Sequence, residues 1–330
     1  MRASQPFTST SALGPMIASF VELRRALGRD VRDETAVLED LDRFLAQRQA
    51  SALTAEVFDA WALTLDRLAA VTRRNRLCLV RALCLHLRRT DPLGFVPDTA
   101  LFPSPQPPKP PFIFSEAQIL NLLDAADKLA PTPGSPLRPQ VYRLAVTLLY
   151  TSGLRRGELA RLALRDYDPR QRTLLVRESK FHKSRVIAVS HDCARELDHY
   201  LLVRQRLPHT PEAPLLANCR GGHQAYSGNG LTRGLHSLFR AAGVFTASGD
   251  PPRPHDLRHS HALHVLLKWY RAGIDLQAKL PVLAASMGHV SIASTAYYIR
   301  FVEPLAEAAA ERFARHARPV LGPARGAHHA

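Results

Sequence analysis

The sequence predicts a mainly helical, α+β protein in two domains: a first domain of helices alone and a larger second domain that adds a small antiparallel β-hairpin or sheet. Three observations carry this reading. Six prolines crowd into the nine residues 103–111 (PSPQPPKPP), where fixed φ angles and missing N–H groups exclude both helix and central strand and leave a semi-rigid linker. Apolar residues of the first segment recur only at helical spacing. In the whole chain only 173–177 (TLLVR) and 185–189 (RVIAV) read as paired strands. The expected organisation is a helical domain at 1–102, a linker at 103–112 and a second domain at 113–330, in keeping with 330 residues at about 150 per domain.

The elements follow in order. In DETAVLEDLDRFLAQ, Val37, Leu38, Leu41, Phe44 and Leu45 share one helical face. Thr54 is an N-cap for a helix through Val57, Phe58, Trp61, Leu65 and Leu68. In the next helix, RRNRLCLVRALCLHLRR, the seven-residue spacing of Arg74, Arg81 and Arg88 aligns them as one basic stripe, either a solvated face or a set of phosphate contacts. Beyond the linker, Ser115 to Gln118 has the form of a capping box before ILNLL. A helix over QVYRLAVTLLYTSG follows, then the hairpin around ESKFHKS, then helices at about 191–206, 230–241, 257–271 and 304–317. In the last of these Leu305, Ala309 and Phe313 share a face that suits either docking on a neighbouring subunit or packing within its own domain.

Charge narrows the function. The chain carries 44 Lys and Arg against 29 Asp and Glu, a net +15, divided as +3 over 1–110 and +12 over 111–330. Such a field seeks a polyanion. No stretch approaches the ~20 apolar residues of a membrane span and no signal-peptide pattern opens the chain, so the expected partner is nucleic acid, without a membrane, in the cytoplasm. Cys78, Cys84, Cys193 and Cys219 are too few and too scattered for a disulfide framework or a metal knuckle and read as reduced, mostly buried thiols.

Four clusters of the second segment combine phosphate-seeking and proton-transferring side chains. They are TSGLRRGEL (151–159) with Arg155 after a glycine turn, the hairpin with Lys180 and Lys183, PHDLRHSH (254–261) with His255 and Arg258 on one helical face, and MGHVSIASTAYY (287–298) with His289, Tyr297 and Tyr298. In this order they resemble the tyrosine site-specific recombinase, or phage integrase, family over roughly 113–302. The resemblance implies catalytic roles for Arg155, Lys180, His255, Arg258, His289 and the nucleophile Tyr298, with Glu158 supporting the first arginine. Lys180 lies 25 residues after Arg155, and Tyr298 nine after His289, as the family pattern implies. It also implies that the first segment is a core-binding domain, that the two domains clamp double-stranded DNA with Arg74, Arg81, Arg88 and Lys183 among its contacts, and that the protein works in the bacterial cytosol or nucleoid as a homo-oligomer (a dimer on one site, a tetramer in synapsis) or with related recombinases. The stretch KWYRAGIDLQAKLPVLAASM (268–287) is longer than the usual form by an AKLPVL insertion, which resembles the branch carried by transposons and other mobile elements, and Phe181 stands where the family has a small residue after the lysine.

The chemistry makes independent sense of these residue types. Planar guanidinium groups suit the charged non-bridging oxygens of a phosphoryl transition state. A tyrosine, with a pKa near 10, needs its proton withdrawn or its anion stabilised. A departing 5′ oxygen needs a proton, which a hairpin lysine supplies. A covalent phosphotyrosine conserves the bond energy, so the expected reaction uses no cofactor, metal or ATP. Lys183 competes with Lys180, and Tyr297 with Tyr298. His259, His261 and His264 read as helix-surface or core residues, with a supporting role open to His259. The weighed alternatives are a type IB topoisomerase-like DNA-relaxing enzyme, a DNA-binding regulator without catalysis, and a metalloenzyme built on His255-Asp256-Leu257-Arg258-His259, which approaches the HExxH pattern.

Overall fold

A computed structural model of the protein describes residues 7–29, 31–105, 109–177, 184–207, 210–219, 224–289, 310 and 314. The chain forms two compact units, Met1–Lys109 and Pro110–Ala330. As the sequence predicts, the described residues are mostly helical with one small antiparallel sheet.

The first unit contains α1 (Gly14–Ala26), α2 (Arg32–Gln47), α3 (Ala55–Leu63) and α4 (Ala70–Leu87). Each turns one stripe inward: Ile17, Phe20 and Val21; Leu38, Leu41 and Leu45; Phe58 and Trp61; Leu77, Val80 and Leu83. Thr54 caps α3 by accepting from the Val57 N–H at 3.4 Å. Asp42 is fully buried yet ionised. Burial pushes its pKa up, but hydrogen bonds from the hydroxyls and backbone N–H groups of Thr10 and Ser11 outweigh this and hold it below the ordinary value. They also pin the segment leading into α1. That helix is absent from the sequence reading, although Pro15 in its first turn and the i, i+3, i+4 spacing of Ile17, Phe20 and Val21 are start and face signals.

The basic stripe on α4 forms as expected, and its side chains have intramolecular work. Arg74 donates to Pro103 O at 2.7 Å, Arg81 to Pro97 O and Arg88 to Gly94 O at 3.0 Å. The three guanidinium groups thus hold the chain that descends along α4 toward the prolines. The described linker residues, 103–105 and 109–112, have neither helix nor strand.

The second unit begins with α5 (Glu116–Asp127), where Ser115 and Gln118 form the expected capping box. It continues through α6 (Arg138–Ser152), α7 (Arg156–Arg161), strands β1 (Tyr167–Asp168), β2 (Thr173–Val176) and β3 (Arg185–Ala188), then α8 (His191–Arg204), α9 (Gly228–Ala241), α10 (Pro254–Arg271) and α11 (Leu276–Met287). Helix α6 is the axis of the core, buried through Val141, Leu144, Ala145, Val146, Leu148 and Leu149 and packed by α5, α8 and α10. The sheet is antiparallel in the order β1-β2-β3, with Leu174 opposite Ile187 and Val176 opposite Arg185.

Three differences from the sequence reading matter. The hairpin gains a third strand, β1. Helix α10 starts three residues earlier, because Pro254 suits a first-turn position and Asp256 accepts from the Arg253 N–H at 2.8 Å. The inserted stretch around AKLPVL is itself helical: α11, capped by Asp275, tolerates Pro281 in its interior and packs Leu280, Leu283 and Met287 against Ala262 and Leu266 of α10. Cys84 and Cys193 are buried and Cys78 and Cys219 half-buried, all four free.

Candidate active site

The site grows from two glycine turns. Gly153 ends α6 in the left-handed region (φ +61°), and a Cβ there would lie 2.6 Å from Cδ2 of His261. Only glycine permits both the turn and the contact. The turn releases Arg155 at the start of α7, and the Gly153 carbonyl accepts from Nη1 of Arg258. Gly288 ends α11 in the same way (φ +67°), with a virtual Cβ 2.8 Å from Nη1 of Arg185. This turn delivers His289, whose N–H bonds to Ala284 O at 2.8 Å.

Three consecutive carbonyls at the end of α11 accept from three different arginines. Ser286 O takes Nε of Arg185 at 2.8 Å, Met287 O takes Nη2 of Arg258 at 2.6 Å, and Gly288 O takes Nη2 of Arg155 at 2.7 Å. The helix C-terminus, with its partial negative charge, is a natural seat for cations. A full negative charge sits beside it. Glu158, its side chain 2% exposed, accepts from Arg155 N at 2.9 Å and Arg155 Nη1 at 2.8 Å, and from Nη1 and Nη2 of Arg185 at 2.9 and 2.8 Å. Burial favours the neutral acid, but these bonds and the two cations prevail and bring its pKa down to about 2.

The histidines face the opposite pressure. His255 and His259 lie one turn apart on α10 with rings edge-to-face, centroids 4.7 Å apart. Desolvation, then His259, Arg258 and Arg155, push His255 down to about 4; desolvation with Arg253 and Arg258 does the same to His259, in both cases against the pull of Asp256. His289 is also brought to about 4, by desolvation and then by Arg258, Arg155, His255 and His259. That one ring feels all four groups marks them as a single cluster. All three rings are neutral at pH 7.

Residues 113–303 match the phage integrase family. The chain belongs to that family, the tyrosine recombinases. It is 31% identical over 302 residues to the Sinorhizobium fredii chain named integrase/recombinase y4rB, covering 91% of this chain and 96% of that one. It is 30% identical over 257 residues to the tyrosine recombinase XerD of Brucella abortus, covering 73% and 77%. Among solved structures, the Tn1549 transposon integrase in complex with circular intermediate DNA superposes with a TM-score of 0.60 at 19% identity, over 86% of this chain and 93% of that one. The XerH recombinase bound to palindromic difH DNA does so with a TM-score of 0.59 at 17% identity, over 84% and 77%. At such identities these likenesses establish a common fold. This tyrosine recombinase is thus an enzyme of DNA recombination and integration that binds, cleaves and rejoins DNA.

Of the residues read from the sequence, the structure brings together Arg155, Glu158, His255, Arg258 and His289 in the recombinase's second unit. Arg74, Arg81 and Arg88 are in the first unit, in the intramolecular bonds described above. Lys180, Lys183, Phe181, Tyr297, Tyr298 and the helix expected from 304 with Leu305, Ala309 and Phe313 lie outside the described residues. His261 and His264 are packing residues: His261 Nδ1 meets Tyr150 O at 3.0 Å and His264 Nδ1 meets the Tyr150 hydroxyl at 2.8 Å. The HExxH-like reading loses its acid, because Asp256 is committed to capping α10 and pairing with Arg253 at 2.8 Å. Among the described residues no group of three or more His, Cys, Asp or Glu is placed to hold a metal ion, and no helix is long and apolar enough to cross a membrane.

The sequence reading missed Arg185. Its signal was register: in RVIAV, Arg185 and Ile187 share the face of β3 that turns toward the core, and a cation at an inward position calls for a buried anion.

Proposed function

We propose that this recombinase cuts and rejoins specific DNA sites by transesterification through a 3′-phosphotyrosyl intermediate, without metal or ATP, in the integration or transposition of a mobile element. The convergence of Arg155, Arg258, His255 and His289 at the carboxyl end of α11 carries the proposal. In this reading Arg155 and Arg258 take the non-bridging oxygens of the scissile phosphate. The Tyr298 oxygen attacks phosphorus, its proton passing to a neutral histidine of the cluster. The bond from phosphorus to the 5′ oxygen breaks, and Lys180 protonates the leaving oxygen. The 5′ hydroxyl of a partner strand then reverses the step, so the number of phosphodiester bonds is unchanged.

The neutral histidines support this division of labour. A ring held at about 4 by burial and then by neighbouring cations becomes more basic once a phosphate supplies negative charge, so proton acceptance is coupled to DNA binding. The charge of +12 over 111–330 supports a DNA-gripping second domain. The near-full-length likeness to y4rB, named an integrase/recombinase, supports a role in integration or recombination. We extend the reading to a first domain that completes a clamp on duplex DNA and to dimers on one site that pair as tetramers.

The test is covalent capture. The recombinase is mixed with nicked duplexes carrying a randomised core, and DNA attached to protein is recovered and sequenced. The expected product is a 3′-phosphotyrosine adduct on one core sequence, insensitive to EDTA. Tyr298→Phe binds that DNA and forms no adduct. Undiminished adduct from this variant moves the nucleophile to Tyr297, and no adduct from the parent protein under any condition refutes the reading.

A further inference from the structure

We propose that Arg185 is a positioning residue that ties strand β3, which follows the hairpin segment of the proton donor in sequence, to Arg155 and to the end of α11, so that the strand, the phosphate clamp and the turn leading toward the nucleophile are set as one unit. The inference rests on the reading above and adds a residue that it does not use.

Three elements meet at this side chain. Arg185 opens β3, directly after the hairpin segment that contains Lys180 and Lys183, and is paired with Val176 of β2. Its side chain is 12% exposed. Both Nη groups engage both oxygens of Glu158, and Nε reaches Ser286 O. Strand β3 and helix α11 also pack directly. Gly288, two residues beyond Ser286, turns so close to the Arg185 guanidinium that a methyl group would meet it at 2.8 Å. His289 follows that turn, and the chain runs on to Tyr298 nine residues later.

The geometry also sets how Arg155 is presented. Arg185 occupies Glu158 in a fork-to-fork pair, so the Arg155 side chain reaches the same carboxylate through Nη1 alone and Gly288 through one Nη2–H. Its remaining N–H bonds are left to serve a phosphate. Without Arg185 a buried carboxylate keeps a single cationic partner, and the favoured rearrangement is a bidentate Arg155–Glu158 pair that turns Arg155 from the phosphate. Lysine cannot replace the fork, since one ammonium does not span both oxygens and a carbonyl on the far side. Stability alone does not call for such an arrangement: a buried ion pair replaced as a whole by apolar residues of similar volume often costs nothing, so an Arg185–Glu158 pair kept beside Arg155 and Arg258 points to a role in placing them.

The probe is the nicked duplex recovered by covalent capture. Adduct formation is timed at saturating DNA for Arg185→Gln, Arg185→Lys, Glu158→Gln and the Arg185→Gln/Glu158→Gln double variant, and affinity is measured in a Tyr298→Phe background. Arg185→Gln is expected to slow adduct formation about 10- to 100-fold, the cost of a small misplacement of reacting groups, with affinity within about threefold. Arg185→Lys, which keeps the charge and guards against a folding defect, falls nearer to Arg185→Gln than to the parent. The double variant is no slower than the slower single variant, because both act through one link. Amide hydrogen exchange over 284–289 in the DNA-free protein is expected to rise at least about tenfold in both Arg185 variants. An unchanged adduct rate, a loss that multiplies with that of Glu158→Gln, or unchanged exchange over 284–289 overturns the proposal. If the parent protein forms no adduct, the recombination chemistry fails while the exchange measurement still decides whether Arg185 holds α11.

Discussion

Replacing Glu158 with glutamine removes one charge from the centre of the arginine cluster and nearly nothing from its volume. The carboxyl is held at about 2 in place of an ordinary 4.5, a difference worth about 3 kcal/mol at neutral pH. Removing one partner of a buried ion pair gives a similar figure, because Arg155 and Arg185 would stay desolvated without their anion. Since the folded pKa lies below the unfolded one, this contribution is fully present above pH 4.5 and is lost as pH falls toward 2. Glu158→Gln is therefore expected to destabilise the second unit by about 3 kcal/mol at pH 7, a fall of roughly 1 M in urea midpoint at a slope of about 2–3 kcal/mol/M. The gap from the parent protein should narrow below pH 4.5. Each unit holds one of the two tryptophans, Trp61 and Trp269, so Trp269 fluorescence in a Trp61→Phe background follows the second unit alone. Equal stability at pH 7, or a gap that stays constant from pH 7 to 3, would refute the assignment of Glu158 as the ionised centre of the cluster.

Other outcomes follow from the same geometry. Lys180→Ala should be nearly inactive on ordinary DNA and recover much of its cleavage when the 5′-bridging oxygen is sulfur, whose thiolate leaves without a proton; Arg155→Ala should not recover, and rescue of Lys183→Ala in place of Lys180→Ala assigns the acid to Lys183. His255, His259 and His289 are neutral at pH 7 in the free protein, and phosphate should raise their pKa values from about 4. DNA binding at pH 6 should then take up protons, read by calorimetry in two buffers of different ionisation heat, and tighten from pH 7.5 to 5.5; zero uptake would remove the histidines from the phosphate. Arg81→Ala should destabilise the first unit by about 1–2 kcal/mol through loss of its bond to Pro97 O, monitored at Trp61 with Trp269→Phe. If stability holds and only the salt slope of DNA binding falls, the stripe faces DNA.

The sequence by itself determined what depends on neighbours along the chain. Helical stripes such as Leu38, Leu41 and Leu45, the Ser115 capping box and the two hairpin strands in TLLVR and RVIAV all became packed elements, because periods of 3.6 and 2 are local properties of the backbone. The order and spacing of the Arg155, His255–Arg258 and His289 clusters were equally legible. Helix α11 was not, since an internal proline argues against a helix locally and the burial of Leu280, Leu283 and Met287 on α10 outweighs it. The strand β1 is two residues long and exists only through its pairing with β2. The tertiary structure alone decided that Glu158, beyond supporting Arg155 three residues before it, also serves Arg185 27 residues after it, and that Arg258 spans from Gly153 O to Met287 O. A guanidinium has many possible acceptors, and which carbonyl or carboxylate it meets depends on how packed helices and strands bring distant residues together, which no local pattern encodes.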